Sequence, residues 1–237
     1  MSRKLPALLV ALSLLVALPG VALAQTNRAT LIDIHRITVL KAKPGGGANC
    51  SNQPPNPGNG GYGFTGWTVQ GNKTASLNPN TIPGGLGSAA QVRTQLSNSF
   101  SAWKGAENAA PSISVTGTTS ITKATANHSY DVLFGRAGGS TIAVTYTWQW
   151  SNGEIESDTV FNSRLPWFIA GSEGDGCDES RASYDLANIA THEFGHTYGL
   201  DHPANARWET MYAFGFTGET LKRSPGAGDT DGIRARY

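Results

Sequence analysis

Charge is scarce in this chain, and what there is nearly cancels. Only 15% of the 237 residues are charged, with 18 Lys and Arg against 17 Asp and Glu, so the formal net charge is +1. The basic residues are scattered rather than clustered, which removes the electrostatic footprint of a nucleic-acid binder and makes acidic polymers poor partners. Only two cysteines occur, Cys50 and Cys177, so a single disulfide is the most that the chain can form. After residue 24 no apolar stretch reaches the length of roughly 20 residues that crosses a bilayer, so no membrane association is expected once the leader is gone. There is no internal repeat and no low-complexity array, which excludes solenoids and collagen-like chains.

What remains points to one mid-sized globular domain with exported character. Met1-Ser2-Arg3-Lys4, the apolar run over residues 7–18 and Ala22-Leu23-Ala24 have the basic, apolar and small-residue order of a secretory signal peptide, so residues 1–24 are expected to be removed and the protein secreted, extracellular or periplasmic. Residues 25–62 are expected to form an N-terminal lead. Residues 31–40 alternate like a short strand, and residues 43–63 are dominated by Gly, Pro and Asn, a composition that buries too little apolar surface to offset its ordering entropy. The compact domain is placed over residues 63–237.

Within it, Val92, Leu96, Phe100 and Trp103 recur at helical spacing, so residues 89–103 form an amphipathic helix. Strand-like runs follow at 112–115, 130–134, 141–150 and 159–161. A second helix is expected over 184–198, with Asp185 favouring its start and Gly199 stopping it.

The second helix carries the chemistry. It reads His192-Glu193-Phe194-Gly195-His196-Thr197-Tyr198-Gly199-Leu200-Asp201-His202. Histidines at i and i+4 project from one helical face, the geometry that two imidazole ligands of one Zn²⁺ need. Gly199 lets the chain turn sharply, so that His202 comes back as a third ligand and one coordination position is left for water. Glu193 lies about 100° further round the helix than His192, beside that position and off the metal, where a carboxylate works as general base. Multiplying this chain's own His, Glu and Gly frequencies over the five fixed positions gives a chance match on the order of 10⁻⁵.

The string resembles the metzincin signature, and within the metzincins the likeness is to the matrixin group. Tyr184-Asp185-Leu186, Phe194-Gly195, Thr210-Met211-Tyr212 and Asp229-Thr230-Asp231-Gly232-Ile233 all resemble matrixin sequence. The resemblance implies an α+β metzincin catalytic domain, with a twisted mixed sheet, an active-site helix and a smaller C-terminal subdomain that holds a Met-turn at Met211 and a short helix over 231–236. It implies a zinc endopeptidase with one catalytic Zn²⁺ on His192, His196 and His202, Glu193 as the base, and protein or peptide substrates. Tyr212, Phe214 and Phe216 are then expected to line the pocket for the side chain after the cleaved bond. Departures exist: there is no Pro-Arg-Cys-Gly segment, no His between His128 and His192 for a second zinc, and Ala213 stands where some metzincins have Tyr.

Several residues carry open alternatives. Thr141–Trp150 is either the sheet's edge strand above the cleft, where a peptide could add as another strand, or a plain core strand. Glu173, Asp175, Asp178 and Glu179 form either a Ca²⁺ loop or a solvated acidic loop. Cys50 either pairs with Cys177 or caps the metal as a thiolate. His35 and His128 lie outside any ligand spacing and are read as ordinary polar residues. The protein is expected to be a monomer. An amidase on a non-protein amide and a non-catalytic zinc-binding protein are the alternative functions.

Overall fold

A computed structural model describes residues 27–39, 61–204 and 206–237. The signal-peptide expectation for residues 1–24 and Cys50 therefore lie outside the described residues. The elements run β1 (Ala29–Val39), β2 (Gly63–Phe64), β3 (Lys73–Leu77), α1 (Ala89–Ala106), β4 (Ile113–Thr118), β5 (Tyr130–Gly135), β6 (Thr141–Trp150) and β7 (Ile155–Asn162). There follow β8 (Trp167–Phe168), β9 (Tyr184–Asp185), α2 (Leu186–Thr197), β10 (Leu200–Asp201), β11 (Phe214–Gly215) and α3 (Ala227–Arg236).

Seven strands make one sheet in the order β11-β1-β6-β7-β5-β3-β4. The pairings β7-β5, β5-β3 and β3-β4 are parallel, as is β1-β11, whereas β6 runs antiparallel to both β1 and β7. This is the mixed sheet and α+β composition of the expected fold.

Helix α1 starts where Ser88 and Gln91 form a reciprocal capping box, which satisfies two otherwise orphaned backbone donors. Its buried stripe is the predicted one: Val92, Leu96, Phe100 and Trp103. Burying each such side chain stabilises by about 1.5–3 kcal/mol. The stripe packs on α2, with the Phe100 and Phe194 rings stacked at 3.6 Å between centroids and Trp103 Nε1 donating to the Thr191 carbonyl at 2.8 Å. Both helices belong to the main core, which takes Val132 and Phe134 from β5; the intervening Leu133 joins a smaller cluster with Val144 and Val160. That split follows from the strand period of two.

Two readings of the sequence bear on this sheet. Within the N-terminal lead, the stretch expected as a short strand is Ala29–Val39, an eleven-residue strand of the main sheet. Of the two alternatives for Thr141–Trp150, the plain sheet strand is the one observed, because β1 is paired along it from Ala29↔Trp150 to Thr38↔Thr141. The physical reason is common to both: an exposed strand edge is a row of unpaired donors and acceptors, and a nearby alternating segment satisfies it.

Candidate metal centre

Helix α2 is held at its start by Asp185, whose side chain accepts the Asn188 N–H at 2.9 Å, accepts the Ala170 N–H at 2.8 Å and pairs with Arg223 Nη1 at 2.7 Å. Asp185 is thus the N-cap, one step before the helix rather than within its first turn. All twelve residues of α2 are buried. The helix ends as the sequence predicts. Gly199 has φ +90°, and a Cβ there would lie 2.4 Å from the Trp67 carbonyl oxygen, so no other residue fits. The turn brings His202 back over the face that carries His192 and His196.

The three Nε2 atoms converge, at 3.2 Å for His192–His202, 3.3 Å for His192–His196 and 3.1 Å for His196–His202. Tetrahedral ligands at Zn–N distances of about 2.0–2.1 Å would stand about 3.3 Å apart, so the donor set fits zinc. Tautomers support the same reading. His192 Nδ1 donates to the Thr210 carbonyl at 2.6 Å and His196 Nδ1 to the Leu200 carbonyl at 2.9 Å, which leaves both Nε2 atoms as lone pairs. Lone pairs facing one another at this range repel unless a cation sits among them. Burial, then the neighbouring imidazoles His202 and His35, holds His192 and His196 respectively well below the ordinary imidazole range. Burial and the nearby His35 hold His202 down to about 4. All three are therefore neutral at pH 7, the state in which imidazole ligates a metal.

Glu193 is fully buried. Its Oε2 accepts the Thr145 hydroxyl at 2.6 Å and its Oε1 accepts the Ile37 backbone N–H at 3.3 Å. Burial pushes its carboxyl up to about 8, against the pull of these two hydrogen bonds. A divalent cation at the imidazoles would draw it down again, into the range where a carboxylate exchanges protons near neutrality.

Behind the histidines, Met211 is 1% exposed and lies against α2 at Gly195. Asp229 holds that turn from α3: its carboxylate accepts the N–H groups of Thr210, Met211 and Gly226. Since Thr210 also supplies the carbonyl that orients His192, Asp229 acts on the metal centre through one intervening residue.

The other predicted residues fall as follows. Phe214 and Gly215 form β11, Phe216 is buried, and Tyr212 stands 5.4 Å from Phe214 between ring centroids. Among the described residues the histidine triad is the one group of three or more side chains placed to hold a metal. The acidic loop does not converge: Glu173 accepts from Ser224, Asp178 pairs with Arg181, and Asp175 accepts the Cys177 N–H. Cys177 is not a free thiol. His128 is peripheral, stacked on Trp150 and bonded to Glu154. His35 departs from its reading as an ordinary polar residue, since it stacks on His196 at 4.2 Å between centroids. Sequence reasoning also missed Thr145, 48 residues from its Glu193 partner, for which the sequence carries no local signal.

No curated protein matches the chain. The matrixin family model matches residues 67–237, more than half of its length, and spans α1, α2, the histidine triad and Met211. The chain belongs to the matrixin family, a family of zinc-dependent endopeptidases.

Proposed function

We propose that this protein is a secreted zinc endopeptidase in which Glu193 activates water for attack on a peptide carbonyl. The observation that carries the reading is the convergence of three neutral imidazole Nε2 atoms beside a fully buried carboxylate. Zinc bound there supplies a Lewis acid and lowers the pKa of water. His192, His196 and His202 hold it, with the first two fixed by carbonyls at their far nitrogens. Glu193 takes a proton from the attacking water and passes it to the departing amine; Thr145 orients the carboxylate for both transfers.

The turn at Met211 is the Met-turn of this reading, and the segment 212–216 is the pocket wall beyond it. Residues 1–24 direct export, and Cys50 pairs with Cys177 in the oxidising compartment reached. The enzyme is read as a monomer.

The test is to incubate the zinc-loaded protein with a mixed peptide library and with small aryl amides. Internal cleavage of peptides, abolished by a chelator and restored by one equivalent of zinc, is the expected result. Turnover of small amides alone would overturn it in favour of an amidase.

A further inference from the structure

Strand β1 sits outside the matched family region, yet it crosses the metal centre. It fills the gap between β6 and β11, antiparallel to the first and parallel to the second, with Thr38↔Phe214 and Val39↔Gly215 in register. Thr38 N–H donates to the Ala213 carbonyl at 3.0 Å, and Val39 N–H to the Ser140 carbonyl at 2.8 Å. An extended peptide needs these same main-chain groups in order to lie across the triad, because strand addition to a sheet edge works through backbone hydrogen bonds.

The side chains of β1 are divided as a bound peptide's would be. His35 and Ile37, two residues apart, face inward, while Arg36 between them is exposed. His35 stacks on the metal-side histidine His196, and its Nε2 lies 3.2 Å from Asp201 Oδ1. Ile37 is fully buried; its Cδ1 and that of Ile142 lie 3.3 and 3.2 Å from the place where a Cβ on Gly215 would be. It thus packs against β11 beside Ile142, with Glu219 Oε2 at 3.4 Å from the same place. The amide between Arg36 and Ile37 is the one presented to Glu193, with Ile37 N–H donating to Oε1 at 3.3 Å. A carboxylate engaged in that way, under a strand that covers the triad, is closed to any other peptide.

We propose that β1 is a built-in occupant of the substrate cleft, a substrate-like strand held in cis that keeps the folded chain latent until it leaves. The inference rests on the peptidase reading for the word latent, and on geometry alone for the occupancy. The competing account is that β1 is a permanent structural strand and that substrates approach elsewhere.

Two variants of the full chain decide between them. Ile37→Asp puts a charge at a fully buried position whose own N–H meets the Glu193 carboxylate and should expel the strand. Zinc-loaded, it should cleave a fluorogenic peptide pool at least ten-fold faster than the parent, whereas Arg36→Ala, altered on the exposed face, should not. To separate loss of the strand from loss of the fold, the second variant carries a site-specific protease sequence in place of residues 43–48. After the cut, the N-terminal fragment should wash away, activity should rise at least ten-fold, and a labelled synthetic peptide of residues 27–40 should rebind and suppress it. Rebinding is read by fluorescence anisotropy without turnover. A cut chain that rebinds the peptide but cleaves nothing keeps the occupancy and sinks the peptidase reading. A cut chain that loses its fragment and then unfolds, that fails to rebind the peptide, or that cleaves the pool but no faster than before, overturns the inference.

Discussion

A side chain on Gly195 would collide with Met211. A Cβ at that position would stand 2.2 Å from Met211 Sδ and 2.7 Å from Trp103 Cζ2. The missing side chain lets the sulfur press against the helical turn that joins His192 to His196. Gly195→Ala should therefore destabilise the protein by about 1–3 kcal/mol through overpacking, because Trp103 is fully enclosed and leaves no direction for relief. Urea unfolding of the metal-free protein measures this. A midpoint equal to the parent's would mean that Met211 moves aside freely and does not brace the helix.

Glu193→Gln should keep zinc close to one per chain while the rate falls by roughly 10² to 10⁴, the share of a positioned general base. The amide nearly preserves volume and reach but accepts no proton at neutral pH. Metal analysis beside peptide turnover checks both halves; activity within a few-fold of the parent would contradict the assigned base. His196→Ala, in contrast, should lose metal and activity together, since two imidazoles hold zinc far more weakly than three.

The same Glu193→Gln variant gives a pH prediction for the metal-free fold. Glu193 has its folded pKa raised to about 8, so between about pH 4.5 and 8 the folded chain holds a proton that the unfolded chain has released. Its contribution to stability is present below about 4.5 and is lost as pH rises through 8. Gln does not titrate. The stability of the variant relative to the parent should thus climb with pH across that window, by up to about 1.4 kcal/mol per unit. Paired urea titrations at pH 5, 6.5 and 8 test it, and a difference that stays constant would show that Glu193 is ionised throughout.

Asp229→Asn should weaken zinc binding without touching a ligand. One carboxylate oxygen accepts from Thr210 and Gly226 and the other from Met211; an amide keeps one acceptor and points a donor at the remaining N–H. The turn that presents the Thr210 carbonyl to His192 should loosen, and loss of such an outer partner typically costs about 10–100-fold in metal affinity. Competition with a chromogenic chelator measures the change. An affinity equal to the parent's would show that His192 is oriented without help from Asp229.

The legible parts of this protein are those that depend on neighbours within a helical turn or two. The stripe Val92, Leu96, Phe100 and Trp103 named α1, and the spacing of His192 and His196 placed two imidazoles on one face whatever lies around them. Gly199 marked the helix end because the constraint there is a single residue's φ. Strand positions were read almost as well, since alternation is local too. Which strands pair is another matter. Whether Thr141–Trp150 stood at an edge depended on a segment more than a hundred residues earlier, whose own pattern says only that it is a strand.

By itself, then, the sequence picked out His192, His196 and His202 as a triad placed to hold a metal, Glu193 beside it and the point at which the helix stops, because backbone periodicity and glycine stereochemistry act over a few residues. Tertiary structure alone decided that Thr145 and Ile37 hydrogen-bond to Glu193, that Met211 lies under Gly195, that Asp229 steadies the turn beyond, and that β1 lies across the centre. Those contacts join residues 16 to 156 positions apart. They form only when the chain has collapsed, since a buried carboxylate, an unpaired strand edge and a missing Cβ select their partners by proximity in the folded core and by the cost of leaving buried polar groups unmet.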